Sequence, residues 1–158
     1  MDPELKKKAL RKIVHGVYVI GVASEGKLNA FTATWVTQVS FVPPLVVAGV
    51  RKDGISYQMI EKGKAFSINF LGTDQKPLAQ HFLKPAHLSP DKLEGIPYRL
   101  GKTGTPILEE AIAFVECQVR NIHPGGDHSL VVGEVVEAGV SKDVEPLALK
   151  ETGWQYGG

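Results

Sequence analysis

The sequence has few of the residues that cross-link, anchor or strongly charge a protein. It contains one cysteine, Cys117, so no disulfide can form within the chain. No apolar run approaches the roughly 20 residues that a membrane-spanning helix needs, and no signal-peptide core follows Lys6 to Lys8. The 18 basic and 17 acidic residues leave a formal charge of +1, which argues against nucleic acid or an anionic membrane as a partner. We therefore expect a soluble, cytoplasmic protein.

Several common cofactor and metal motifs are also missing. No G-x-G-x-x-G follows a predicted strand, so a Rossmann dinucleotide site is not indicated, and there is no P-loop. The five histidines are scattered without metal-ligand spacing, and one cysteine cannot supply a thiolate cluster. Cys117 itself lies on the apolar face of a strand pattern, which favours a buried structural thiol over a nucleophile.

The hydrophobic pattern predicts a mostly β fold with a few short helices. The 158 residues are 43% hydrophobic and fit one domain spanning 1–158. Alternating or β-branched segments predict strands over 17–23, 28–34, 45–50, 65–71, 112–122 and 129–140. Helices are predicted after Asp2-Pro3, over 55–62 with Gly63 as the stop, and over 75–83. Residues 84–106 are predicted to be a long irregular excursion, and the sheet is expected to be antiparallel, with closure into a barrel hiding its edges.

One segment places an unusual number of hydroxyl side chains among apolar ones. Thr32, Thr34, Thr37 and Ser40 precede a double proline, Pro43-Pro44, which must interrupt the sheet ladder. A structural strand does not need so many hydroxyls, although β-branched residues at a strand end are ordinary. Short hydroxyl donors suit a flat ligand that has polar edges. We therefore interpret the segment as a ligand-binding site.

The spacing of these residues resembles the flavin reductase-like FMN-binding split-barrel family. The resemblance covers roughly residues 8–140 and rests on the order of several motifs: Thr32-Ala33-Thr34-Trp35, Val39-Ser40-Phe41-Val42-Pro43-Pro44-Leu45, Phe66 to Leu71, His81-Phe82 and Gly126-Asp127-His128 followed by Gly133. It implies a homodimeric, antiparallel split β-barrel. It also implies FMN as cofactor, with FAD as the alternative, and NAD(P)H as reductant.

The resemblance also assigns cofactor contacts to particular residues. Those lining the isoalloxazine ring and ribityl chain would be Thr32, Ala33, Thr34, Trp35, Val39 and Ser40. Trp35 stands where serine is frequent in the family, so it could stack on the flavin or be a core aromatic. Phe82 could border the same pocket, but a core position is an equal alternative.

A phosphate site is predicted between the strand over 45–50 and the following helix. Arg51, Ser56 and Tyr57 combine a cation and hydroxyls with a helix start, which suits an anion. A solvated loop is the structural alternative. In the family, this loop holds the FMN phosphate.

His128 is the candidate catalytic residue. The resemblance places a histidine beside the open face of the flavin, where a nicotinamide or an acceptor docks. The structural alternative is an exposed histidine next to Asp127, with the carboxylate bonded to the turn backbone. A role as a strict acid or base is less favoured, because hydride transfer needs no protein base.

Two functions remain open at this stage, with a third less favoured. The first is an NAD(P)H:flavin oxidoreductase, which would use a nicotinamide nucleotide and could supply reduced flavin to a monooxygenase or another redox partner. The second is a non-enzymatic FMN electron-transfer protein of the flavoredoxin type. A flavin-less interaction module on the same fold is the third.

Overall fold

The computed structural model describes residues 1–84 and 91–158. Its helices are α1 (Pro3–Leu10), α2 (Ile55–Gly63), α3 (Lys76–His81) and α4 (Leu149–Thr152). Its strands are β1 (Tyr18–Ser24), β2 (Lys27–Ala33), β3 (Val36–Ser40), β4 (Leu45–Arg51), β5 (Ala65–Phe70), β6 (Tyr98–Leu100), β7 (Pro106–Leu108), β8 (Ala113–Pro124) and β9 (His128–Val140). The mostly β prediction is therefore confirmed. No helix in the described ranges is long and apolar enough to cross a bilayer.

One antiparallel sheet of seven strands dominates the fold. Its order is β2-β1-β5-β8-β9-β4-β3, and each neighbouring pair is antiparallel. The two outermost strands, β2 and β3, are consecutive in the chain and are joined only by Thr34 and Trp35. A flat sheet would separate its edges by several strand spacings of about 4.8 Å. The sheet must therefore curve until its two edges meet at this junction.

The strands that the sequence pattern missed are those with little hydrophobic alternation. β3 was not predicted, because its three central residues are all exposed, so the strand lacks the alternation of apolar and polar residues that marks a half-buried strand. The region predicted as an irregular excursion contains β6 and β7, which pair as a short hairpin. Part of that excursion, 85–90, lies outside the described residues.

Two apolar clusters lie on the opposite faces of the curved sheet. Ile20, Phe66 and Val131 belong to the cluster beneath α2. Val19, Phe82 and Leu147 belong to the second, which includes residues of α3 and of the segment leading into α4. Cys117 lies in the first cluster, where burial raises the pKa of its thiol to about 12. The prediction of a structural thiol is confirmed.

The end of α2 differs from its prediction. Gly63 is the last residue of the helix, and Lys64 adopts the left-handed conformation with φ 58°. The glycine is required by packing, since a Cβ at position 63 would lie 2.0 Å from the carbonyl oxygen of Ala23. The close approach of helix and strand, rather than the helix stop, explains this glycine.

Candidate functional site

The junction of β2 and β3 places Trp35 in an aromatic cluster. Its indole packs on Gly49 of β4, where a Cβ would lie only 3.2 Å from the ring. The ring centroids of Trp35 and His128 are 4.6 Å apart, and those of Trp35 and Tyr156 are 5.1 Å apart. Trp35 belongs to neither apolar cluster. We call the β2–β3 junction together with the Gly49, His128 and Tyr156 that surround Trp35 the corner. Trp35 forms one wall of it.

The two threonines nearest the corner differ in their hydrogen bonding. Thr32 donates its hydroxyl to the carbonyl oxygen of Ala79 at 2.6 Å, and its backbone N–H to the carbonyl of Phe82 at 3.2 Å. Ala79 lies in the last turn of α3, where carbonyls lack intrahelical partners. Thr34 has a buried hydroxyl oxygen with no hydrogen-bond partner among the described residues. The first hydroxyl is committed to the fold, and the second is available to a ligand.

Asn29, which the sequence analysis did not select, adds a second available polar atom. Its side chain is 5% exposed, and its amide nitrogen donates to the hydroxyl of Ser56 at 3.0 Å. Its amide oxygen has no hydrogen-bond partner within the ranges 1–84 and 91–158. A buried polar atom without a partner costs about 1–3 kcal/mol, so a ligand that donates to it would recover that cost. No sequence pattern distinguishes this asparagine from a turn or strand residue.

Ser56 stands at the open start of α2. The residue before the helix, Gly54, offers no side-chain cap. The N–H groups of the first turn therefore receive no capping hydrogen bond from it. Ser56 accepts from Asn29 and can still donate its own hydroxyl hydrogen. The helix start therefore presents donors that suit a phosphate.

Arg51 ends β4 close to this helix start. Its guanidinium makes a two-point ion pair with Asp53, at 3.0 and 2.6 Å. The hydrogen bond from Arg51 lowers the pKa of the Asp53 carboxyl. Both side chains are more than half exposed, and exposed pairs contribute little stability. Arg51 can therefore exchange Asp53 for a ligand phosphate at small cost.

His128 lies directly opposite Arg51 in the β4–β9 ladder. Its Nδ1 is 2.7 Å from a carboxylate oxygen of Asp127, and its Nε2 is 2.8 Å from the hydroxyl of Tyr156. The hydrogen bond with His128 is the main cause of the lowered pKa of Asp127. Because the ionised carboxylate can only accept, the neutral form of the imidazole is the one that carries its hydrogen on Nδ1 and offers Nε2 as an acceptor.

The other residues that the sequence predicted to contact the cofactor lie in different environments. Tyr57 accepts a hydrogen bond from buried Ser129 at 3.1 Å and packs against the first cluster. Phe82 is 1% exposed, which favours its core alternative, and it contacts the site through its carbonyl. Ala33 is also buried and faces the first cluster. Val39 is 53% exposed at a break in the β3–β4 register, next to half-buried Ser40.

Comparison with known proteins identifies the family. The model of the flavin reductase like domain matches residues 10–157, almost the whole chain. This chain belongs to the flavin reductase-like family. The resemblance inferred from its motifs is confirmed.

Several relatives of this chain are named as reductases. A flavin reductase of Pseudomonas putida is 30% identical over 159 residues, which cover 100% of this chain and 91% of the relative. The flavin-dependent monooxygenase reductase subunit HsaB of Mycobacterium tuberculosis is 32% identical over 149 residues, 94% of this chain and 78% of the relative. The chain spans 42% of a longer relative, a probable flavin reductase of Rhizobium meliloti, at 32% identity over 135 residues and 85% of this chain.

A solved structure shares the whole architecture. The NADH:FAD oxidoreductase SgcE6 of Streptomyces globisporus superposes with a TM-score of 0.86 at 28% identity, covering 99% of this chain and 95% of that one. The family and its fold therefore agree from sequence and from structure.

The donors and acceptors of the corner fit a flavin nucleotide. The free hydroxyl of Thr34 and the free amide oxygen of Asn29 can bond to ring edges or ribityl hydroxyls. The open start of α2 and the Arg51 guanidinium suit the phosphate.

Substitution of the two corner threonines by valine is expected to separate ligand binding from folding. Thr34→Val removes a buried hydroxyl that has no partner in the described part of the chain, so stability should be unchanged or higher, while FMN binding weakens by about 1 kcal/mol. Thr32→Val leaves the Ala79 carbonyl unpaired and should lower the free energy of unfolding by about 1–3 kcal/mol. Urea denaturation and flavin titration measure the two effects. Unchanged FMN affinity in Thr34→Val would exclude its hydroxyl from the site.

Proposed function

We propose that this protein is an NAD(P)H:flavin oxidoreductase that binds FMN, or FAD in its place, at the β2–β3 corner. The observation that carries the proposal is a pair of buried polar atoms, the Thr34 hydroxyl oxygen and the Asn29 amide oxygen, that have no hydrogen-bond partner within residues 1–84 and 91–158. They lie on the strand and junction whose motif is shared with flavin reductases. The relatives named as flavin reductases and as an NADH:FAD oxidoreductase support the same activity.

The chain contributes binding and orientation to this reaction. When bound, the flavin accepts a hydride from the nicotinamide and passes the electrons on. Arg51, Ser56 and the first turn of α2 would bind the phosphate, which is common to FMN and FAD. Thr34 and Asn29 would bond to the polar edge of the flavin. These contacts fix one reacting ring so that the second can approach in a productive geometry.

The part of the corner around Trp35 and His128 would receive the reductant. Trp35 excludes water with its indole, which packs on Gly49. His128 offers an Nε2 acceptor whose direction is fixed by the Asp127 carboxylate at Nδ1. An acceptor in this position suits the carboxamide N–H of a nicotinamide. His128 therefore orients the reductant without having to transfer a proton.

Anaerobic reduction tests this function. FMN-loaded protein is mixed with NADH, and separately with NADPH, and the visible flavin absorption is followed. We expect at least one nucleotide to bleach the flavin rapidly. If neither does so while the flavin stays bound, the protein is an electron carrier of the flavoredoxin type and the reductase proposal is wrong.

The contribution of Arg51 is tested by comparing FMN with riboflavin, which lacks the phosphate. Arg51→Ala should weaken FMN binding by about 1.5–3 kcal/mol, the range for a hydrogen bond to a charged group, and leave riboflavin binding unchanged. Asp53→Asn releases the guanidinium and should strengthen FMN binding. Equal losses for FMN and riboflavin would contradict a phosphate contact.

We also propose that reduced flavin passes to a monooxygenase. The similarity to HsaB, a reductase subunit of a flavin-dependent monooxygenase, supports this partner class. The measurement is coupled hydroxylation: a flavin-dependent monooxygenase should turn over when this protein and reductant are its only source of reduced flavin.

The sheet curvature supports a split β-barrel, and the exposed apolar surface supports a homodimer. Phe41 is 88% exposed and Val42 is 92% exposed at the β3–β4 turn, next to the half-exposed Val39. Ile13 and Val14, which follow α1, are also exposed, at 57% and 83%. Neighbouring large apolar side chains such as those at the β3–β4 turn are typical of an interaction surface.

Substitution at the β3–β4 turn tests the dimer. Phe41→Asp places a charge on the proposed interface and should convert the dimer to a monomer in sedimentation velocity. Leu100→Asp, at a 55% exposed position in the β6–β7 hairpin, is the matched control and should remain dimeric. A wild-type protein that sediments as a monomer would overturn the homodimer.

A further inference from the structure

The segment after α4 runs across the corner and is fixed at three points. Trp154 packs against the second apolar cluster. Tyr156 reaches Nε2 of His128 at 2.8 Å, and the carbonyl oxygen of Gly157 accepts a hydrogen bond from Nε of Arg11 at 3.1 Å. We call residues 153–158 the strap. Its anchors lie on the second cluster, on His128 and just after α1, so its path over the corner is defined by contacts distant in sequence.

Tyr156 of the strap already contacts Nε2 of His128, the atom to which the reductant would bond. The side chain of His128 is only 12% exposed, and both of its nitrogens have partners, Asp127 on one side and Tyr156 on the other. Since Nδ1 carries its hydrogen toward the carboxylate, Nε2 accepts from the Tyr156 hydroxyl. Burial raises the pKa of Tyr156, so the hydroxyl keeps the hydrogen that it donates.

Tyr156 therefore makes the type of contact expected from a nicotinamide carboxamide. Both groups supply one hydrogen to the same acceptor, and the phenol ring also packs edge-on against Trp35, with centroids 5.1 Å apart. The hydroxyl and the carboxamide cannot both bond to the single lone pair on Nε2. Either the strap or the nicotinamide can engage His128 at one time.

On the basis of the proposed function, we infer that the strap is a gate for the nicotinamide, in which Tyr156 holds Nε2 of His128 until the carboxamide replaces it. The Asp127 carboxylate at Nδ1 keeps the imidazole in its accepting tautomer, and Tyr156 only occupies the Nε2 acceptor. Arg11 sets how firmly the gate is closed, because its hydrogen bond to Gly157 holds the adjacent residue of the strap. The gate would oppose binding of the nicotinamide without touching the flavin phosphate.

The inference predicts that two distant substitutions have the same effect. Tyr156→Phe removes the competing hydroxyl and keeps the ring, and Arg11→Met removes the anchor. Both should tighten NAD⁺ binding to FMN-loaded protein and lower the KM for the reducing nucleotide. The expected change is roughly two- to tenfold, the range that one net hydrogen bond allows. The dissociation constant of FMN should stay within about twofold of wild type.

Calorimetric titration with NAD⁺ measures the binding, and ¹⁵N NMR of His128 in the flavin-free protein measures the hydrogen bond itself. The Nε2 resonance should shift in Tyr156→Phe. Controls are Lys8→Met, which removes an exposed cation from α1, and Tyr98→Phe, at a 39% exposed tyrosine in β6. Neither control should alter NAD⁺ binding or the Nε2 resonance.

The outcomes separate the gate from the underlying function. If wild-type protein binds no NAD⁺ and is not reduced by either nucleotide, the proposed function fails and the gate fails with it. If wild-type protein is reduced but Tyr156→Phe leaves NAD⁺ binding unchanged, only the gate is wrong. Weaker NAD⁺ binding in Tyr156→Phe would also overturn it, since Tyr156 would then be a direct nicotinamide contact.

Discussion

The two-residue junction between β2 and β3 is the constraint on which the site depends. These strands occupy opposite edges of the seven-stranded sheet, yet only Thr34 and Trp35 separate them in the chain. The sheet therefore has to curve because the chain connects its two edge strands directly, in addition to the curvature that strand twist produces. Trp35 extends the β3–β4 ladder, since its carbonyl oxygen accepts a hydrogen bond from the Gly49 N–H at 2.9 Å, and Thr34 lies between it and the end of β2. Their side chains and backbone groups are consequently placed where two sheet edges, α2 and the start of β9 can contribute to one site.

The site contains polar atoms that do not stabilise the folded chain. The Thr34 hydroxyl oxygen and the Asn29 amide oxygen are buried without partners among the described residues. Each such atom is destabilising unless a ligand supplies a hydrogen bond. Nearby Thr32 shows the contrast, because its hydroxyl closes the last turn of α3. Flavin binding would therefore raise the stability of the protein, as expected when a ligand binds only the folded state.

Electrostatics divides the corner into two parts. At the end of β4, Arg51 pairs with exposed Asp53 and is ready to exchange this partner for a phosphate. Across the ladder, the Asp127 carboxylate fixes the tautomer of His128. In the proposed function, the first part would recognise charge, and the second would present an acceptor to an amide. The flavin phosphate and the nicotinamide carboxamide differ in these same properties, which is why we propose that they bind to different parts of the corner.

The sequence by itself determined the family, the antiparallel strands around the Glu25-Gly26 turn, and the hydroxyl-rich segment, because these depend on local periodicity and spacing. Only the tertiary structure decided which hydroxyl is free, since Thr32 and Thr34 look equivalent until α3 packs against β2. It also decided that Phe82 lies in the core, an alternative that the sequence left open, and that Tyr156 contacts His128, 28 residues away in the chain. Such contacts depend on sheet order and register, which residue spacing along the chain does not encode.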